Sequence, residues 1–153
     1  MVNVKTAKFG CFAIPYFNDK VLMILRTKDG KWGFPGGKLE KGEGFYDATV
    51  RETVEEIGLS LPPISTSPFF KESVKRHEGL EVKPGFISVA FSYKAGIAFL
   101  QGVVWKFLLN KASHHQEVAA VCIFDVNKTI FSEMNLAPTV LEELKQVFGD
   151  KIK

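Results

Sequence analysis

The chain is short of cysteine and of long apolar runs, and each shortage excludes something. Cys11 and Cys122 are its only cysteines among 153 residues. They stand alone in the apolar stretches GCFAI and AVCIF, without the paired spacing of a thiolate metal site. Two buried, reduced thiols of a cytoplasmic protein are therefore expected. No apolar run approaches the roughly 20 residues that cross a bilayer, so no membrane segment is expected. Met1 to Lys8 lacks a cationic stretch leading into an apolar one, so no signal peptide is expected either. A strong excess of one charge is also missing. Lys and Arg outnumber Asp and Glu by 20 to 17, and a net charge of +3 is too mild to argue for a nucleic-acid surface. KTAKF and VKRHEGLEVK are basic, but they are short, and the second is mixed with acid, so no clear nucleic-acid surface is expected. Repeats, low-complexity tracts and linkers are absent, which leaves one domain over residues 1–153.

What is present is enough apolar residue for a core, 46% against 24% charged. KFGCFAIPYF and VLMILRT read as a strand pair joined by a tight turn at Asn18-Asp19-Lys20. A second turn follows at Lys28-Asp29-Gly30-Lys31, and WGFPGG reads as a loop. Phe45 to Ile57 has neither Gly nor Pro and a helical pattern. PFFKESVK, GFISVAFSY, GVVWKFLL and VAAVCIFDV read as further short strands. Pro138 opens a last helix, with Val140, Leu141, Leu144, Val147 and Phe148 on one face and Gly149 at its end. The pattern predicts a mixed α/β domain.

Negative charge is concentrated in GGKLEKGEGFYDATVRETVEEIGL, which holds Glu40, Glu43, Asp47, Glu52, Glu55 and Glu56. With Glu52 at zero on a helical wheel, Glu56 falls at about +40° and Glu55 at about −60°. Tyr46, Val50, Val54 and Ile57 fall between about 120° and 200°, the face expected to meet the core. Thr53, at about 100°, is expected at the rim of that face. Like charges at these spacings destabilise a helix, and Glu55 and Glu56 stand near the negative end of its dipole. The helix contains no lysine, and Arg51 is its only cation. Oxygen ligands on one stripe suit a hard cation such as Mg²⁺ or Mn²⁺, and zinc ligands are missing from the segment. Glu43 lies two helical turns before Arg51 and is expected to pair with it.

Gly37, Glu43, Arg51-Glu52-Thr53, Glu55-Glu56 and Gly58-Leu59, at these spacings over residues 37–59, resemble the Nudix box. VLMILRTKDGKWGFPGGKLEKGE resembles the lead-in usual in that family, and one position departs: Thr53 stands where an aliphatic residue is general. The resemblance implies a Nudix fold, a mixed β-sheet sandwiched between helices. It implies hydrolysis of the diphosphate bond of a nucleoside diphosphate linked to another moiety, assisted by Mg²⁺ or Mn²⁺. Glu52, Glu55 and Glu56 would hold the metal, with the Gly37 carbonyl as a further ligand. Glu52, Glu56 and Glu117 form the implied catalytic set, with Glu52 the first candidate for general base. Glu117, in the loop SHHQEV, is the second, while His114 and His115 beside it read as solvated.

Arg26 is expected to meet substrate phosphate, and Trp32 and Phe34 to stack on the base, although Phe34 also suits a core. Arg76 and His77 read as a solvated loop. The stretch KESVKRHEGL carries neither the proline of ADP-ribose hydrolases nor the tyrosine of dinucleoside polyphosphate hydrolases. A MutT-like enzyme acting on a nucleoside triphosphate is the first expectation. An ADP-ribose or nucleotide-sugar hydrolase, or a nucleotide-sensing domain without activity, is the alternative. Monomer and homodimer both remain open.

Overall fold

The structure, a computed structural model, describes residues 7–110 and 117–152. Its strands are β1 (Lys8–Phe17), β2 (Lys20–Arg26), β3 (Trp32–Gly33), β4 (Gly36–Lys38), β5 (Val74–Arg76), β6 (Leu80–Lys83), β7 (Phe86–Lys94) and β8 (Val118–Asp125). Its α-helices are α1 (Phe45–Ile57), α2 (Pro68–Ser73), α3 (Ile97–Leu109) and α4 (Val140–Phe148). No helix of the described residues is long and apolar enough to cross a membrane.

The β1–β2 hairpin is the feature that makes room for a site. Its strands pair only next to the turn, Tyr16 with Val21 and Phe17 with Lys20. Beyond that they diverge. The freed edge of β1 at Gly10–Phe12 is taken by β4, and the freed edge of β2 at Ile24–Leu25 by β3. On their outer sides both strands are fully paired. β7 runs parallel to β1 from Lys8–Phe86 to Tyr16–Lys94, and β8 runs antiparallel to β2. β5 and β6 both pair with β7. The sheet is therefore continuous at one end and split at the other.

Side chains alternate across a strand, so each long strand of the sheet feeds two cores. Ala13, Leu22, Ile24, Val89 and Phe91 face Tyr46 and Ile57 of α1 and Leu100, Val103 and Phe107 of α3. Their neighbours Ile14, Met23 and Ala90 face Phe131 and Val140, Leu144 and Phe148 of α4. The result is the expected mixed sheet between helices.

Two segments read as strands are helical. Residues 68–73 form α2, because Ser67 accepts a hydrogen bond from the Phe70 N–H (3.3 Å) and Pro68 takes the first turn. Only Val74 onward is strand. GVVWKFLL lies within α3, whose buried Leu100, Val103 and Phe107 follow a helical period. Its other face, with Trp105, Leu108 and Leu109, is exposed and apolar, so no amphipathic contrast marked it as a helix. Cys11 is buried as expected, but Cys122 is only half-buried. Arg76 and His77 are not in a solvated loop. Arg76 lies 4.8 Å over the Phe45 ring, and His77 Nε2 is 2.7 Å from Ser92 Oγ.

The face that α1 turns inward is also rotated from the one expected. Tyr46 and Ile57 are buried, but Val54 is 47% exposed. Thr49, Thr53 and Glu56 are buried in its place. Both threonines return their hydroxyls to the helix, Thr49 to the Phe45 carbonyl (3.0 Å) and Thr53 to that of Val50 (3.1 Å). Satisfied in this way, they pack like small apolar residues. The departure at Thr53 is thus a core position, not a rim one.

Candidate active site

The chain ends β4, turns through Leu39–Gly44 and enters α1, and Arg51 clamps these three pieces together. Its Nε and Nη2 bind Glu43 at 2.8 and 3.0 Å, a two-pronged pair that draws the Glu43 carboxyl below the usual range. Nη2 also donates to the Lys38 carbonyl (3.1 Å), and Nη1 reaches Glu52 (2.9 Å) and Glu55 (3.3 Å). The expected Glu43–Arg51 pair is therefore present, with Arg51 tied to two stripe acids as well. At the far end, Gly58 adopts φ 70°, and the amides of Gly58 and Leu59 return to the carbonyls of Val54 and Thr53. A left-handed residue of this kind ends a helix cleanly, and glycine holds it at least cost.

Close approach explains the glycine pair. A side chain at Gly37 would collide with the Glu52 carboxyl, and one at Gly36 with the Cys11 carbonyl. Because Gly36 is bare, its amide reaches Glu56 Oε1 at 2.6 Å. Glu56 was expected on the displayed stripe, but it is only 6% exposed. Its carboxyl is pushed up to about 8, chiefly by burial. The Gly36 amide opposes that rise, and the charges of Glu52, Glu117 and Glu55 add to it.

These groups border one cleft of about 1210 Å³ at the split in the sheet. Gly37, Glu52, Glu55, Glu56 and Glu117 line it, as do Arg26 and Phe34. Glu117 is exposed, its carbonyl accepting from the Thr27 amide (2.9 Å). Arg26 is gripped by both carboxylate oxygens of Asp29. Phe34 is 4% exposed and belongs to the α4-side core. Trp32 does not border the cleft; its ring packs edge-on against Phe124, centroids 5.0 Å apart. His114 and His115 lie outside the described residues.

Among the described residues, no three Asp, Glu, His or Cys side chains form a ready-made metal cluster. Arg51 holds Glu52 and Glu55 to one side, and Gly36 holds Glu56.

One cleft-lining acid had not been singled out from sequence. Glu143 of α4 is 3% exposed and accepts hydrogen bonds from Ser88 Oγ (3.0 Å) and Thr139 Oγ1 (2.9 Å). Burial pushes its carboxyl up to about 7, opposed by the two hydroxyls. The available signal was its place at the edge of the apolar stripe of its helix, about 40° from Val147.

A sheet split at one end, closed between helices and faced there by a glycine-backed helix of glutamates, defines the class of domain. Residues 7–142 match the NUDIX domain, and the chain belongs to that family. It is 45% identical over 44 residues to the uncharacterized Nudix hydrolase YvcI of Bacillus subtilis (strain 168), covering 29% of this chain and 28% of that one. The chain thus matches well under half of that relative's length. In fold it is similar to a mutT/nudix family protein from Listeria innocua, with TM-score 0.64, 21% identity and coverage of 92% and 91% of the two chains. It is also similar to a bifunctional NMN adenylyltransferase/ADP ribose pyrophosphatase from Francisella tularensis, solved with AMP and a Mn ion. There the TM-score is 0.61 at 16% identity, covering 95% of this chain and 42% of that one.

Proposed function

We propose that the chain is a divalent-cation-dependent pyrophosphohydrolase of nucleoside diphosphate derivatives, with a nucleoside triphosphate as first substrate. The observation that carries this reading is the crowding of Glu52, Glu55 and Glu117 around the buried carboxyl of Glu56, at the wall of one cleft. A buried carboxylate faced by like charges is costly unless a cation joins them. The donors are all oxygens, which fits Mg²⁺ or Mn²⁺. Glu52, Glu55 and Glu56, with the Gly37 carbonyl, would hold the ion. When bound, it supplies neutralisation of phosphate oxygens and a more acidic water.

The chain's own residues do the rest. Glu52 takes the proton of the attacking water as the water oxygen bonds to phosphorus and the bridging P–O bond breaks. Glu117, exposed on the same cleft, is the second candidate for that role. Arg26 presents its guanidinium to the substrate phosphates while Asp29 fixes its plane. Arg51 holds Glu52 and Glu55 in place through its grip on Glu43.

The volume of the cleft, about 1210 Å³, supports a second reading, in which the diphosphate carries a larger group, as in ADP-ribose or a nucleotide sugar. All the box acids are present, which argues against a purely nucleotide-sensing domain. Release of nucleoside monophosphate from a panel of these compounds, with Mg²⁺ and with chelator, tests both readings. Cleavage of a triphosphate that stops with chelator is expected. Binding without cleavage of any member would overturn the enzymatic reading.

A further inference from the structure

The cleft has a second wall that the hydrolytic reading does not use. Gly10 of β1 pairs with Ser88 of β7 on one side and with Lys38 of β4 on the other. Two strand spacings therefore separate Ser88 from β4, about 10 Å. Gly37, backed by the Glu52 carboxyl, is the next residue along β4. That separation is the length of a nucleoside between its base and its first phosphate.

The rings of Phe12 and Phe86 both fold over Gly10. A Cβ there would lie 2.6 Å from Phe12 Cε2 and 3.2 Å from Phe86 Cζ. Both phenylalanines border the cleft, as do Ser88 and Glu143. Glu143 accepts one hydroxyl on each oxygen, from Ser88 and from Thr139. Each carboxylate oxygen has two lone pairs, so one on each remains. A pin between α4 and β7 would need only a neutral amide, whereas a nearly buried carboxyl on a ligand cleft is a costly choice.

We propose that this wall reads the nucleobase, stacking it on Phe12 and Phe86 and binding its edge through Glu143. One remaining acceptor on each oxygen matches two adjacent N–H donors, the 2-amino-6-oxopurine edge of guanine. Adenine presents an acceptor beside a donor and leaves one carboxylate oxygen opposed to a lone pair. This inference deepens the proposed function and rests on the cleft binding a nucleotide. Its test is read by binding, so that failure of hydrolysis leaves it measurable.

The experiment is calorimetric titration of GMP and AMP, in Mg²⁺, into the wild-type chain and Glu143→Gln. Glutamine presents one acceptor and one donor, the complement of adenine. Wild type is expected to bind GMP about 10-fold or more tightly than AMP, in line with a good bidentate base contact. Glu143→Gln is expected to lose that preference and turn toward AMP. A residue that is only structural would weaken both nucleotides alike. Equal binding by wild type, a wild-type preference for AMP, or a GMP preference surviving in Glu143→Gln would each overturn the proposal. Should Glu143→Gln not fold, Thr139→Val keeps the carboxyl and removes one of its donors. It is expected to narrow the GMP preference several-fold, and an unchanged preference there would equally overturn it.

Discussion

Glu56 and Glu143 are the same side chain in nearly the same degree of burial, on opposite walls of one cleft. Both carboxyls are raised by burial, Glu56 to about 8 and Glu143 to about 7. Their surroundings differ. Glu56 has one backbone donor and the charges of three neighbouring carboxylates, a setting that a cation would relieve. Glu143 has two hydroxyl donors, and the charge of Glu142 adds to its rise. Desolvation alone does not tell a metal ligand from a hydrogen-bonding group. The sign and number of the neighbouring charges separate the two proposed roles.

The sharpest way to break this contrast is to remove charge from the crowded side. Glu52→Gln keeps shape and hydrogen bonding, and turnover of the best substrate is expected to fall by roughly 10²-fold or more if Glu52 is the base. Glu117→Gln is the control, and only one of the two is expected to show a large loss that excess metal leaves in place. Near wild-type rates in both would remove both from that role.

The other wall is probed by pH. A carboxyl raised from 4.5 to about 7 on folding destabilises the folded state as it ionises. The contribution is neutral below pH 4.5 and lost progressively as pH rises to about 7. Glu143→Gln should therefore gain stability relative to wild type across that window, by at most about 3 kcal/mol. Urea unfolding at pH 5 and pH 8 measures it, and a gap independent of pH would contradict it. Arg51→Ala should cost about 2 kcal/mol, since charged hydrogen bonds to Glu43 and the Lys38 carbonyl are lost from a partly exposed site. Turnover should fall with it, and an unchanged urea midpoint would show that the clamp is not structural.

How much of this was legible in sequence follows the same division. The bounds of α1 and the Glu43–Arg51 pair were readable, because local spacing determines both. So were β1, β7 and β8, where apolar runs meet clear turn signals. α3 was not, since its outer face is as apolar as its inner one, and a period needs contrast. Thr53 and Glu56 defeated the helical wheel because their polar atoms are satisfied within the helix and by the Gly36 amide. Trp32 looked like a base-stacking ring, but its partner, Phe124, lies far along the chain. Glu143 required tertiary knowledge as well, since Ser88 approaches it from 55 residues away.

The smallest expected effect bears most directly on the centre of this reading, that the crowded glutamates form a cation site. Titrating MgCl₂ or MnCl₂ into the apo chain, with calorimetry for binding and a thermal melt for stability, isolates it from any question of substrate. Binding to the folded state alone gives about 1.4 kcal/mol at tenfold excess over Kd, which for a chain of this size raises Tm by a few degrees. Saturable binding with that rise in wild type, and neither in Glu56→Gln, is the expected result. No binding of either ion, or equal binding by Glu56→Gln, would contradict it.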